Sequence, residues 1–267
     1  MLSGLAPSAE VMPRALEAAA RALELGPDLA ESHNAAACAA LLFQRQYAAA
    51  ERSFRRAIDL NPNYLQARAW YGLFMLHWVS GRIDEAAVQL RAVLEFDPLS
   101  AYAHIIMSYH CTWSGRPSEG VGHARRGLEI DPNSYLGHWA LLCALGCAGE
   151  YPEAAAVAER ALGMSGRHIW TLGCAAAIYA RWGRPADAMA LFREAEARAG
   201  REHMLPSMLV AAAAAVGDTD AALRYARRAV DEQDPMFVLS ARLLPFYDDL
   251  RPDPRFRAIV AELGFPS

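Results

Sequence analysis

Five cysteines and eight histidines are the side chains with which this chain could ligate a metal or act as a nucleophile. Cys143 and Cys147 stand four apart, so a helix would set both sulfurs on one face. His110, His138 and Cys174 fall where stacked helices could bring them near. That spacing does not specify four ligands in a fixed geometry, and a cysteine in an alanine-rich helix commonly serves as a small core residue. A Cys and His pair acting as nucleophile and base also needs an orienting carboxylate and an oxyanion hole, and the sequence marks neither. Gly-rich phosphate loops are absent as well. The expectation is a protein without a catalytic centre, metal or cofactor.

The elements that would have to position any functional side chain are set by a repeat. Residues 67 to 100 begin at Ala67, carry Trp70 and Leu73, and break at Gly81. A second segment then places Ala86, Leu90 and Val93 on one helical face before Pro98 closes the unit. Sliding this frame by 34 gives units 101–134, 135–168, 169–202 and 203–236. Gly81, Gly115, Gly149, Gly183 and Gly217 then share one position, where a turn between antiparallel helices needs a left-handed residue. Ala86, Gly120, Ala154, Ala188 and Ala222 share another, where two helices must approach closely. A further unit spans 31–64, with Arg45 in place of the turn glycine, and Leu65 and Gln66 are two extra residues before the frame resumes.

At either end the pattern is incomplete. Gly4 and Pro7 argue against a helix over residues 1–9, and Ala9 to Leu25 reads as the second helix of a unit whose first is missing, leaving an uncapped outer side. Residues 237–267 leave the frame; Asp253 and Pro254 form an N-cap and first helical position, and Phe256, Ile259, Val260 and Leu263 give the short helix an apolar face. This segment is the expected C-terminal cap. One elongated domain over 1–267 follows, with a partial unit at 1–30, because an array grows by stacking and has no central core.

A fixed period with Trp, Leu, Gly, Tyr, Ala, Phe and Pro positions resembles the tetratricopeptide repeat (TPR). The resemblance implies an all-α fold, a right-handed superhelical solenoid of antiparallel helix pairs. The stretches RRAIDLNPNY (55–64), GRIDEA (81–86), FDPLS (96–100) and LRPDPRFRAIVAELGFP (250–266) are more specifically similar to the C-terminal repeat regions of bacterial multidomain regulators, which join such arrays to winged-helix activators, adenylate cyclases or Ser/Thr kinases. No effector domain accompanies the repeats here, so what is implied is a regulatory sensing or protein-interaction module and not an enzyme.

In TPR arrays the first helix of each unit lines a concave groove. Mapping the groove positions onto this chain gives Tyr71, Met75 and Trp78, then Tyr102, Ile105, Tyr109 and Trp113, then Trp139, and finally Trp170. Trp70 and Tyr179 fall on packing positions and are expected in the core. Positions that hold Lys and Asn in the carboxylate-clamp subtype are Tyr71, Ile105 and Trp139 here, which argues for an apolar or amphipathic partner segment. An aromatic strip of this kind serves a partner groove, a small apolar ligand, or a self-interface in a homo-oligomer.

Charge and composition close off other classes. Arg21, Arg55, Arg56, Arg91, Arg125, Arg126, Arg160, Arg193, Arg227 and Arg228 recur on the second helices, interleaved with acids, as a solvated face laced with weak ion pairs. The net charge of −4 offers no general attraction to nucleic acid or anionic lipid. The N-terminus lacks the basic start and apolar run of a secretory signal, and Met208 to Val216 is too short to span a bilayer. An odd number of cysteines without a CxxC pair fits a reducing cytoplasm. All 26 positive side chains are arginine, a sign of a GC-rich, bacterial genome.

Overall fold

The computed structural model describes residues 6–266; Gly4 and the first residues of the N-terminus lie outside that range. Fifteen α-helices follow one another among the described residues, with no strand. The first, α1 (Ser8–Leu25), starts directly after Pro7, so Ser8 and Ala9 are already helical. It packs on α2 (Ala30–Ala39), which runs on as a π-helical stretch from Ala40 to Gln44. Arg45 then takes the left-handed turn conformation at φ 53°, as its place in the frame requires. Next come α3 (Tyr47–Leu60), and α4 (Leu65–Trp70) continued by a longer π-helical stretch from Tyr71 to Val79, with α5 (Ile83–Phe96) as its partner.

Four further pairs are α6 (Ala101–Trp113) with α7 (Pro117–Ile130), α8 (Tyr135–Ala148) with α9 (Tyr151–Met164), α10 (Ile169–Arg181) with α11 (Pro185–Ala199), and α12 (Ser207–Ala215) with α13 (Thr219–Asp231). Gly81, Gly115, Gly149, Gly183 and Gly217 all have φ between 69° and 81°, the left-handed turn their shared position implies. First and second helices differ in kind. The second, such as α3 and α13, bury one alanine-rich stripe, Ala50, Phe54 and Ala57 in α3, and expose the rest. The first, such as α8 and α12, are apolar on all sides, since neighbouring helices and the concave side cover most of their length. The array is a TPR-like right-handed superhelical solenoid of antiparallel helix pairs.

The C-terminal segment does more than cover the last pair. Asp234 caps α14 (Pro235–Ser240) through the backbone N–H groups of Met236 and Phe237, and its other oxygen accepts from Ser207 N, tying α14 to the start of α12. From there α14 reaches back onto the π-helical stretches at the ends of α2 and α4. Arg242 Nη1 donates to Val79 O at 2.7 Å, Tyr47 OH donates to Leu263 O at 2.8 Å, and the Tyr47 and Phe265 rings stack with centroids 5.9 Å apart. After a short turn over Pro245–Tyr247, α15 (Pro254–Ala261) packs on α13. The two ends of the solenoid are therefore joined across its concave side.

Candidate functional site: an aromatic central cavity

Joining the ends leaves a central cavity of about 1110 Å³, walled by α1, the first helices from α2 to α12, and α14. One aromatic chain runs along its wall. Trp70 meets Phe74 (centroids 5.9 Å), Phe74 meets Trp78 (5.2 Å), and Trp78 stacks on Trp113 at 4.4 Å. Tyr109 lies beside Trp113 (6.2 Å) and edge-on to Trp139 (5.3 Å), and Trp139 tilts over Trp170 at 5.7 Å. Such offset and edge-to-face contacts each add about 0.5–1.5 kcal/mol beyond simple burial, so the wall is stiff before any ligand arrives. Leu42, Phe43 and Leu73 add aliphatic and aromatic surface. Among the described lining residues Glu31 is the one carboxylate, and none is arginine.

Polar groups are few and mostly committed. Trp70 Nε1 donates to Tyr102 OH at 2.9 Å, and Tyr109 OH to Leu136 O at 3.1 Å. Asn34 Nδ2 reaches Tyr64 OH, which in turn donates to Gln66 Oε1. The indole N–H groups of Trp78, Trp113 and Trp139 are buried with no acceptor among the described residues. Burial raises the pKa values of Tyr102 and Tyr109 above the ordinary phenol value, so both stay neutral. The chemistry on offer is apolar and aromatic contact with a handful of neutral hydrogen-bonding groups, which suits binding.

Seven of the nine expected groove residues lie on this wall: Trp78, Tyr102, Ile105, Tyr109, Trp113, Trp139 and Trp170. Tyr71 and Met75 do not. Tyr71 turns outward between α3 and α4, packs on Phe54, accepts from Arg55 Nε at 3.0 Å and donates to Glu51 Oε1 at 2.9 Å; Met75 is wholly buried among core side chains. Trp70, expected in the core, faces the cavity instead. The cause is a frame slip. Trp70, Phe74 and Trp78 stand 35 residues before Ile105, Tyr109 and Trp113, whereas Gly81 stands 34 before Gly115. Between the last of these aromatic positions and the turn glycine this unit holds one residue more than the next, and the π-helical stretch absorbs it. The extra residues Leu65 and Gln66 were the available signal. Tyr179 is buried as expected, beside Trp182 and under the Arg184 guanidinium.

The cysteines and histidines do not assemble. Cys143 and Cys174 are fully buried neighbours, and burial raises the pKa of the Cys143 thiol well above its ordinary value, so it is no thiolate. His110 instead meets His77, with Nδ1 atoms 3.2 Å apart. Among the described residues no group of three or more His, Cys, Asp or Glu side chains could hold a metal ion, and no helix is long and apolar enough to cross a membrane.

Residues 41–108 match a family model of the tetratricopeptide repeat. No curated protein matches the sequence. Among solved structures, the chain is similar to a tetratricopeptide repeat protein from Parabacteroides merdae (12% identity, 96% of this chain, 99% of that one, TM-score 0.62). It is also similar to PilW, described as a widely conserved type IV pilus biogenesis factor (19% identity, 84% and 97%, TM-score 0.60). A third is a thermophilic TPR protein of Thermus thermophilus (18% identity, 77% and 98%, TM-score 0.56). At these identities the likeness is one of fold.

Proposed function

We propose that this protein is a non-enzymatic interaction module that receives an apolar segment of a partner protein in its central cavity. TPR folds generally mediate protein–protein interaction. The observation that carries the reading here is the continuous aromatic chain from Trp70 to Trp170 along a cavity with a single carboxylate among its described lining residues. Large rigid aromatic rings give much contact area at low entropic cost, which is why they dominate binding hot spots. Titration with an apolar helical peptide, followed by tryptophan fluorescence, tests it. Trp113→Ala with Trp139→Ala is expected to weaken binding at least tenfold, on the order of 1.4 kcal/mol or more; unchanged affinity in the folded double variant sinks the reading.

One observation favours a second reading. Because α14 and the C-terminal tail cross the concave side, the cavity is more enclosed than an open groove, and its size suits a small apolar ligand. A thermal-shift screen against apolar metabolites separates the two, since a protein segment alone would leave it flat.

A further inference from the structure

The edge of the solenoid around the cavity mouth has a composition of its own. Eight large apolar side chains stand strongly exposed among the described residues, and all but Val88 lie on the edge where second helices end and the next first helices begin. Leu25 (70% exposed) and Leu29 flank the loop between α1 and α2, and Phe96 (58%) and Leu99 (66%) flank the loop between α5 and α6. Tyr102, Leu136 and Met164 belong to this edge and line the cavity as well, so the exposed apolar edge and the inner surface share residues. At the opposite end the lining residues Phe43, Trp78 and Trp113 are buried, and α14 lies across.

Interleaved with this collar are carboxylates. Glu31, Asp59, Glu95 and Asp131 sit at the same edge, exposed and without an ion-pair partner within 4 Å among the described residues. Two nearby cations are engaged, since Arg56 approaches Asp28 at 3.8 Å and Arg68 donates to Pro62 O and Gln89 Oε1, while Arg91, one turn before Glu95, offsets part of that charge. Helix dipoles do not reverse the sign, since each edge loop joins a C-terminus to an N-terminus and the two ends cancel. The collar is apolar and acidic together.

We infer that this collar docks a cationic amphipathic helix, whose apolar face covers Phe96 and Leu99 and enters the cavity while its Lys or Arg flanks meet Glu31, Asp59, Glu95 and Asp131. The inference rests on the proposed function and names the partner chemistry of that same site. A helix is required because an extended segment would carry unpaired backbone N–H and C=O groups into a cavity with few polar partners, whereas a helix satisfies its own. A cationic one fits because the exposed, unpaired carboxylates repel acidic flanks and, equally, anionic lipid.

The test compares two designed helical peptides with one apolar face, one flanked by Lys and one by Glu, titrated calorimetrically into the full chain. The Lys peptide is expected to bind roughly tenfold or more tightly than the Glu peptide, with the gap narrowing as salt rises. Phe96→Ser with Leu99→Ser, both exposed and so harmless to folding, is expected to weaken the Lys peptide roughly tenfold while uptake of the neutral dye Nile red stays unchanged. Equal affinity for both peptides, no binding of either, an unaffected serine variant, or binding to zwitterionic or anionic vesicles in place of the Lys peptide overturns the inference. Loss with Trp113→Ala and Trp139→Ala but not with the serine variant keeps the cavity and removes the collar. The reverse pattern keeps the collar and removes the cavity.

Discussion

His77 and His110 meet where the π-helical stretch of α4 packs on α6, both fully buried, Nδ1 to Nδ1 at 3.2 Å. One ring must donate and the other accept, so the pair is neutral and the two tautomers differ. Burial, helped by the Arg116 charge, lowers His77 to about 3 and His110 to about 4 from the ordinary 6.5. The unfolded chain therefore binds protons that the folded one refuses between pH 6.5 and about 4, and stability falls as pH drops through that window, by up to about 1.4 kcal/mol per pH unit for each ring. Denaturant midpoints measured across this range should fall steeply toward acid in the native chain and less steeply in His77→Gln. An equal slope in both would remove the pair as the cause. Neither histidine stood out in the sequence as half of a pair, because their neighbourhood depends on the extra helical residue in α4.

Turn glycines and small contact residues were legible because each serves one local need that repeats with the period. Gly149 has φ 81° with nothing within 4 Å of a would-be Cβ, so Gly149→Ala meets only backbone strain and should cost about 1–2 kcal/mol in denaturant unfolding. Gly120 differs: a Cβ there would run into Thr112 and stand 3.0 Å from the Ser108 carbonyl, across the α6 and α7 contact. Gly120→Ala should cost about 1–3 kcal/mol by overpacking at a φ that any residue adopts. A loss below a few tenths of a kcal/mol at either position would show that the loop or helix pair yields more easily than its geometry implies. The π-helical stretches were not legible, since their wider turn follows from accommodating an inserted residue and from the α14 contact, and no residue type announces them.

At the scale of the molecule, the contacts joining the two ends are few beside the helix-pair interfaces: one ring stack, the Tyr47 to Leu263 O and Arg45 to Glu262 O bonds, the Arg242 bond to Val79 O, and the packing of α14 on the π-helical stretches. Arg242→Ala removes a charged donor from a partly buried carbonyl, a loss of about 1.5–3 kcal/mol. Hydrogen exchange in residues 235–266 should accelerate in that variant while exchange in α6 to α11 stays as in the native chain. A uniform change along the chain would mean that the C-terminal segment and the repeats unfold as one unit.

From the sequence alone came the helical repeat, the turn positions, the alanine-rich contact stripe and an aromatic concave side, because each is a local requirement recurring along the chain. Only the tertiary structure decided that Trp70 faces the cavity and Tyr71 the outside, since one inserted residue rotates a helix face by about 100° and sequence spacing does not say where the surplus is absorbed. It alone decided, too, that the C-terminal segment reaches the first units and turns a groove into a cavity. Contacts between residues as distant as Tyr47 and Phe265 depend on the summed rotation of every intervening pair, which no single repeat encodes.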